Sequence, residues 1–166
     1  MQGRPVSETR VVLSHLMLPQ DANPAGNVHG GVIMKYIDNA AGVVGVRYAR
    51  TICVTASIDR MDFFVPMYIG ELLTLKASLN MVGSTSMEIG VCVEGENLLT
   101  GEKKHVGSAY LTFVALYDQG AEVRKLPPLI LETPDDERRN EEARYRRARR
   151  LEEKQRMLAR REKIVL

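Results

Sequence analysis

One short segment of the sequence combines groups that could stabilise a negative charge with a carboxylate that could accept a proton. Asn27, His29, Gly30 and Gly31 stand directly before a run of apolar residues at helical spacing, and Asp38 follows about two helical turns later. Paired glycines let the backbone turn sharply and approach another group closely. The free N–H groups at a helix start attract negative charge and could polarise a carbonyl oxygen. A buried carboxylate farther along could act as a general base, so this segment is a candidate active site.

Each of these residues also has a purely structural explanation. The run from Asn27 to Gly31 could form only a turn and a helix cap, because asparagine and glycine serve both. Lys35 lies three residues before Asp38 and could pair with it at the helix surface. His29 could be a base or a ligand, but a lone histidine near a turn is more often structural. The residue types leave both explanations open, whereas a serine nucleophile is unsupported because the sequence has no Gly-x-Ser-x-Gly motif.

The periodicity of apolar residues indicates the elements that must position these groups. Helical spacing from Val32 to about Tyr48 predicts one long helix, and a strand is expected before it over 11–18. After Arg50 the pattern is that of strands separated by turn residues, with expected ranges 51–65, 72–82, 87–97 and 103–117. Consecutive strands joined by short turns form an antiparallel meander, and the helix inserted early covers one face of it. The expected fold class is therefore α+β.

Length and composition limit the class of protein. The 166 residues suffice for one compact domain with a short appendage, and a hydrophobic fraction of 45% is ordinary for a globular core. No stretch is apolar enough to span a bilayer, and the first residues, which we expect to fray, lack the apolar core of a secretory signal. Cys53 and Cys92 are typical of buried free thiols in a reducing cytoplasm, where we expect the protein to reside. The histidines and cysteines are too scattered to predict a metal site.

Charge is distributed unevenly along the chain. Residues 134–166 contain 12 Lys and Arg against 8 Asp and Glu, a net +4, while the residues before them contain 11 and 13, a net −2. The slightly acidic body argues against nucleic-acid binding, which needs a basic face on the folded part. We interpret the tail as a solvated helix with ion pairs between its side chains, with contact to a partner or RNA as the alternative. The expected organisation is a domain over 1–126, a proline-containing linker over 127–133 and a charged helical tail over 134–166.

The segment Asp-Ala-Asn-Pro-Ala-Gly-Asn-Val-His-Gly-Gly-Val-Ile-Met-Lys-Tyr-Ile-Asp, from Asp21 to Asp38, resembles the active-site segment of hotdog-fold acyl-CoA thioesterases. It is similar above all to the cytosolic long-chain acyl-CoA hydrolases and their single-domain bacterial relatives. The resemblance extends from about Leu13 to Tyr117, and the tail has no counterpart in it. Four further pieces contribute to it: 60–66, 70–71, 86–91 and 109–116.

This resemblance implies a long helix wrapped by an antiparallel sheet. It also implies that two subunits join their sheets edge to edge, that three such dimers form a hexamer, and that active sites lie at the dimer interface. The implied reaction is hydrolysis of fatty acyl-CoA to a fatty acid and CoA, with no cofactor and no membrane partner. A hotdog protein that binds acyl-CoA as a sensor, without hydrolysing it, is the alternative.

Matching the motif residue by residue gives each candidate an expected role. Asn27 would orient substrate or water, and Gly30 or Gly31 would donate the backbone N–H that polarises the thioester carbonyl, with His29 in the same loop. Asp38, contributed by the other subunit, would be the general base or the nucleophile. Contacts to the CoA moiety are expected from one arginine and one turn, although a solvated side chain and a simple turn explain them equally well: Arg60, Gly83, Ser84, Thr85 and Ser86. Five apolar residues could line an acyl tunnel, with core packing as the alternative: Ile33, Ile37, Val54, Met61 and Phe63.

Overall fold

The long helix α1 (Gly30–Ala49) lies at the centre of the computed structural model, which describes residues 1–59, 61–117 and 122–164. One face of α1 is aliphatic, and its buried residues recur at helical spacing: Ile33, Ile37, Ala40, Ala41, Val44 and Tyr48. The helix ends at Arg50, which adopts a left-handed conformation with φ of 54°. The expected helix is confirmed, and its apolar face sets the position of everything attached to it.

An antiparallel sheet of five main strands wraps around α1. Its order is β2 (Val11–Leu16), β4 (Leu72–Val82), β5 (Ser86–Glu96), β6 (Lys103–Tyr117) and β3 (Cys53–Ile58), so that β2 and β3 form its edges. Each pair of neighbouring strands is antiparallel, and a short strand β7 (Glu122–Val123) pairs with the end of β6. The expected α+β class is confirmed.

The main core fills the space between α1 and the inner face of the sheet. Alternate residues along the central strands point to this face, as the pleat requires. These residues are fully buried: Leu73, Leu75, Leu79, Met87, Ile89, Val91, Leu111 and Phe113. Burial of this aliphatic surface holds the helix against the sheet without fixing individual polar contacts.

The expected strand over 51–65 is wrong beyond Ile58. β3 ends there, and its register against β6 shifts between Thr55 and Ser57, which marks a bulge. The following segment is irregular but tied to β6, since Phe64 N–H donates to the carbonyl of Val106 at 2.9 Å. The alternation of β-branched residues predicted a continuous strand, because a local sequence pattern does not indicate where pairing with the neighbouring strand stops.

The N-terminus is ordered, so the expectation that it frays is wrong. β1 (Arg4–Pro5) pairs in parallel with β8 (Leu129–Ile130), and Val6 is buried. The expected linker is also packed onto the body, because the Tyr48 hydroxyl donates to the carbonyl of Pro127 at 2.7 Å. A two-residue strand gives no periodic signal, and its partner lies far along the chain, which is why the sequence pattern did not indicate this pairing.

The second helix, α2 (Pro134–Ile164), covers part of the outer face of the sheet. Asn140 Nδ2 donates to the carbonyl of Asn80 at 2.8 Å, and Ala143 is fully buried. The described side chains over 151–160 are all exposed. A charged C-terminal helix is therefore confirmed, but the expectation that it is solvated is wrong for its first half. Arginines read from sequence as solvent-facing instead meet a buried carboxylate on the sheet, that of Glu88.

Candidate active site

The loop before α1 is closed by its own backbone and side chains. His29 is the N-cap of the helix, and its Nδ1 accepts a hydrogen bond from the Gly31 N–H at 2.9 Å. The His29 N–H in turn donates to the carbonyl of Asp21 at 2.8 Å. Within the described residues the Gly30 N–H donates to no acceptor, so it is the open donor at this helix start.

Two asparagines shape the same loop. Asn23 Oδ1 accepts from the N–H groups of Ala25 at 2.9 Å and Asn27 at 3.2 Å, which makes a side-chain-stabilised turn. Asn27 is half-buried, and its carbonyl accepts from the Asn23 N–H at 2.7 Å. Neither side-chain amide nitrogen has an acceptor among the residues that the structure describes. Both asparagines therefore offer a free amide donor near the helix start, although only Asn27 was expected from the sequence.

Asp38 lies on the side of α1 that faces β3. It is half-buried, and its Oδ1 accepts a hydrogen bond from the Thr55 hydroxyl at 2.5 Å. It does not pair with Lys35 in the described structure, which removes the simplest structural explanation for this carboxylate. Thr55 was missed from the sequence because β-branched residues are common in strands and only the pairing of β3 beside α1 brings this hydroxyl to the carboxylate.

Asp38 opens into a groove of about 970 Å³ between α1 and β3. The groove is lined by both elements: Asp38, Asn39, Gly42, Val43, Val46, Arg47, Arg50, Cys53, Val54, Thr55 and Phe113. Its surface is more apolar than polar, and its two arginines lie toward the C-terminal end of α1, which would suit a ligand with an apolar chain and an anionic part. Burial raises the pKa of Cys53 to about 11, so this thiol stays protonated near neutral pH and is a poor nucleophile.

A single chain does not bring the two halves of the site together. Asn27, His29, Gly30 and Gly31 lie outside the residues that line the groove. Eight residues of helix separate Gly30 from Asp38, which is a distance of about 12 Å along the axis. The donor at the helix start and the carboxylate therefore face different regions of the same protomer.

The residues expected to contact CoA lie elsewhere in the fold. Gly83, Ser84 and Thr85 connect β4 to β5, which begins at Ser86, and the Gly83 N–H donates to the carbonyl of Ser86 at 2.7 Å. Ser86 pairs with Val114 on β6, whereas Phe63 pairs with Gly107 near the start of α1. Seven residues of strand separate these points, about 23 Å. Arg60 lies outside the described residues.

The expected tunnel residues divide into two groups. Ile33 and Ile37 are buried in the core between α1 and the sheet, as the structural alternative expects. Val54 and Phe63 are exposed, Val54 in the groove beside Asp38 and Phe63 beside Gly30. Met61 is partly buried and packs against the core.

Two classes of feature are absent from the part of the chain that the structure describes. No three His, Cys, Asp or Glu side chains gather as a metal site requires. None of the described helices is long and apolar enough to cross a membrane.

Comparison with known proteins assigns the family. A family model of the thioesterase superfamily matches residues 25–101. An uncharacterized acyl-CoA thioester hydrolase of Bacillus subtilis is 36% identical over 129 residues, which cover 78% of this chain and 74% of that protein. The chain belongs to the thioesterase superfamily. Among mammalian relatives, the mouse cytosolic acyl coenzyme A thioester hydrolase is 37% identical over 72% of this chain, but this chain covers only 33% of that protein.

Solved structures of thioesterases share the whole fold. An apo-hexameric acyl-CoA thioesterase superposes with a TM-score of 0.88 at 35% identity, covering 92% of this chain and 97% of that one. An acyl-CoA hydrolase from Staphylococcus aureus, solved with butyryl-CoA and CoA, superposes with a TM-score of 0.81 at 30% identity, covering 93% and 96% of the two chains. The hotdog fold expected from the sequence is confirmed. The coverage extends into α2, so this helix has counterparts that the sequence resemblance did not include.

Proposed function

We propose that this thioesterase hydrolyses fatty acyl-CoA to a free fatty acid and CoA. The observation that carries the proposal is the Asp38–Thr55 pair at the wall of a largely apolar groove. A carboxylate oriented by a hydroxyl can accept a proton from water, and the groove suits an acyl chain. The named activities of the B. subtilis and S. aureus relatives support the same substrate class.

In the proposed reaction, Asp38 acts as general base. It removes a proton from water, and the oxygen of that water attacks the thioester carbonyl. The negative charge that develops on the carbonyl oxygen is stabilised by the Gly30 N–H, which is open in the structure. The tetrahedral intermediate then collapses with cleavage of the C–S bond, and the CoA thiolate leaves and takes up a proton. Direct attack by the Asp38 carboxylate on the carbonyl is the alternative route to the same products.

We assign the loop asparagine of the site from the spacing of three residues that were substituted in a related hydrolase. Structures of the S. aureus hydrolase have been determined with an asparagine, an aspartate or a threonine replaced by alanine. The intervals between those three positions, 15 and 17, are the intervals between Asn23, Asp38 and Thr55 here. This supports Asn23, besides the Asn27 expected from sequence, as the loop amide that orients water or substrate.

A second copy of the chain would complete the site. β3 is an edge strand, and exposed aliphatic residues continue from it onto α1 around the groove: Val43, Val46, Ile52, Val54 and Ile58. Pairing of two β3 edges would cover this surface and satisfy the open backbone groups of both strands. It would also let the loop of one subunit approach Asp38 of the other. The hexameric thioesterase structures favour further assembly of three such dimers.

The CoA moiety is proposed to contact the turn Gly83–Ser86, supplied by a neighbouring subunit. Arg147 packs over this turn, since a Cβ on Gly83 would lie 2.9 Å from its Nη1. A guanidinium group suits phosphate. The remaining proposals are that the reaction uses no cofactor, because water and Asp38 supply its chemistry, and that the protein is cytoplasmic, as the name of the mouse relative suggests.

Release of CoA, measured with a thiol reagent over acyl-CoA substrates of several chain lengths, tests the proposal. The unmodified protein should release CoA, and Asp38→Asn should lower kcat by about 10²- to 10⁴-fold with little change in KM. Asn39→Ala is the matched control, because Asn39 is exposed, adjacent and lines the same groove. Tight acyl-CoA binding without CoA release at any chain length would instead establish the sensor alternative.

A further inference from the structure

We propose that Arg150 of α2 is a positioning residue for the active-site loop, because it holds Asp59 at the start of the segment 61–69 that packs against Gly30. The inference deepens the proposed hydrolase function and rests on it. It gives the C-terminal helix a role in the geometry of the reaction, at a position remote from the reacting atoms.

Arg150 contacts carboxylates on two different elements. Its Nη1 lies 2.6 Å from Asp59 Oδ2 and 3.0 Å from Glu88 Oε2. Arg146 already binds the other oxygen of Glu88, through Nη2 at 2.7 Å and Nε at 3.1 Å, and its guanidinium lies 3.7 Å from the centre of the Tyr110 ring. Glu88 therefore keeps a cation without Arg150. Among the residues that the structure describes, the Asp59 carboxylate contacts the side chain of Arg150 alone.

The Arg150–Asp59 contact is sheltered from solvent. The side chains are 22% and 18% exposed, so water and salt screen the pair less than an exposed surface pair. The Asp59 N–H also donates to the carbonyl of Tyr110 at 2.9 Å. Backbone and side chain of Asp59 are thus held by different elements, and loss of the side-chain contact would loosen the residue without detaching it.

The segment after Asp59 packs directly on the helix start. A Cβ on Gly30 would lie 3.3 Å from Phe63 Cε2, so the Phe63 ring covers the residue that carries the open N–H. The Met67 carbonyl accepts from the Val28 N–H at 2.8 Å. A shift of this segment would therefore move the backbone donor that the proposed reaction uses.

The strand before Asp59 leads to the other half of the site. Thr55, four residues earlier on β3, donates to Asp38. Asp59 consequently lies between the segment that fixes the oxyanion donor and the strand that orients the carboxylate. Small misplacement of such groups lowers the rate more than it weakens substrate binding, because the geometry matters most in the transition state.

The primary experiment compares Arg150→Gln with Arg149→Gln in the full-length chain, using acyl-CoA as substrate. Both variants remove one positive charge from the same helix, but Arg149 is exposed. We expect Arg150→Gln to lower kcat roughly tenfold with KM changed less than twofold, and Arg149→Gln to behave as the parent. Arg150→Lys should recover part of kcat, because an ammonium group can still reach Asp59.

Amide hydrogen exchange adds a readout that does not need activity. In Arg150→Gln, the N–H groups of Phe64 and Val28 should exchange at least several-fold faster, while amides in the centre of β5 should not change. Asp59→Asn leaves both arginines on Glu88 and should reproduce the loss of kcat and the faster exchange. The double variant should be no worse than either single one.

Several outcomes would overturn the inference. An active parent with an unchanged Arg150→Gln, or an effect of Asp59→Asn that adds fully to it, would refute the positioning role and leave the proposed function standing. If no form of the protein releases CoA, the proposed function fails, and unchanged exchange at Phe64 and Val28 would then refute the positioning role separately. If the Arg150 variants do not fold, Asp59→Asn takes their place. The same changes in kcat and in amide exchange are expected from it, and their absence would refute the positioning role.

Discussion

The two faces of the sheet are covered by helices of opposite chemistry. α1 buries an aliphatic face against the inner side, where Ile37 is 1% exposed. α2 is held to the outer side by guanidinium groups around Glu88, which is 0% exposed. Aliphatic burial is non-directional and supplies cohesion, whereas the ion pairs require a defined geometry. The inner helix therefore chiefly stabilises this fold, whereas the outer helix chiefly fixes the position of the elements beneath it.

The largest expected difference between the two helices is in their aliphatic side chains. Ile37→Ala should lower the free energy of unfolding by about 4 kcal/mol, because it leaves a cavity in the core. Leu151→Ala on α2 should leave it unchanged, because Leu151 is 52% exposed. Denaturant titration measures both values. A similar loss of unfolding free energy from the two substitutions would show that α2 also stabilises the fold by apolar burial. That result would contradict the difference between the two helices.

The buried carboxylate on the outer face gives the next largest effect. Glu88→Gln leaves Arg146 and Arg150 without their shared anion and should lower the free energy of unfolding by about 3 kcal/mol. Glu142→Gln is the control, since Glu142 pairs with Arg146 and Arg138 at the surface. Equal midpoints of unfolding for the two variants would mean that the buried ion pairs do not hold α2.

On the inner side of the sheet, a substitution of Thr55 should affect activity more than stability. Thr55→Val removes the hydroxyl that donates to Asp38 and should lower kcat roughly tenfold, with a loss of about 1 kcal/mol in stability. Thr51→Val should cost similar stability, because the Thr51 hydroxyl donates to the Leu116 carbonyl at 2.6 Å, but it should leave kcat unchanged. If both variants keep full activity, Thr55 has no part in orienting the carboxylate.

The smallest effect concerns the start of α2. Burial tends to raise the pKa of Asp136, but hydrogen bonds from Thr133, the Glu132 N–H and Arg10 outweigh it and lower the pKa below its ordinary 3.8. This carboxylate therefore stabilises the fold above pH 3.8, and the contribution is lost as pH falls through the folded-state pKa. Asp136→Asn should cost about 1 kcal/mol at pH 7. The cost should shrink as the pH falls below 3.8. A pH-independent difference in unfolding midpoints would contradict this assignment.

The difference between the two helices also explains which parts of the structure could be predicted from the sequence. Apolar spacing from Val32 to Tyr48 predicted α1, and alternation predicted β4, β5 and β6, because burial on one face imposes a period. The charged pattern of α2 predicted a helix but not its surroundings. Nothing local to Arg146 or Arg150 indicates that a buried carboxylate lies opposite, since Glu88 is far away in sequence and appears in a strand.

The same limit applies to the candidate site. The loop residues and Asp38 were singled out from residue type, spacing and a family resemblance, and their catalytic roles stay predictions. Thr55 became visible only when the pairing of β3 placed its hydroxyl beside Asp38. Asn23 was overlooked because it lies in the same turn-rich run as Asn27, where composition does not distinguish a turn former from a substrate contact.

The most direct test of an active site shared between two chains is restoration of activity between two inactive variants. Asn23→Ala and Asp38→Asn subunits, each inactive alone, are co-expressed with different tags, and assemblies that carry both tags are assayed for CoA release. If one subunit supplies the loop and its partner the carboxylate, each mixed dimer contains one intact site of its two. Purified mixed dimers should therefore show about half of the activity of the unmodified protein, and hexamers built from randomly paired dimers about a quarter. Assemblies that contain both subunits and still release no CoA would contradict a site shared between two chains.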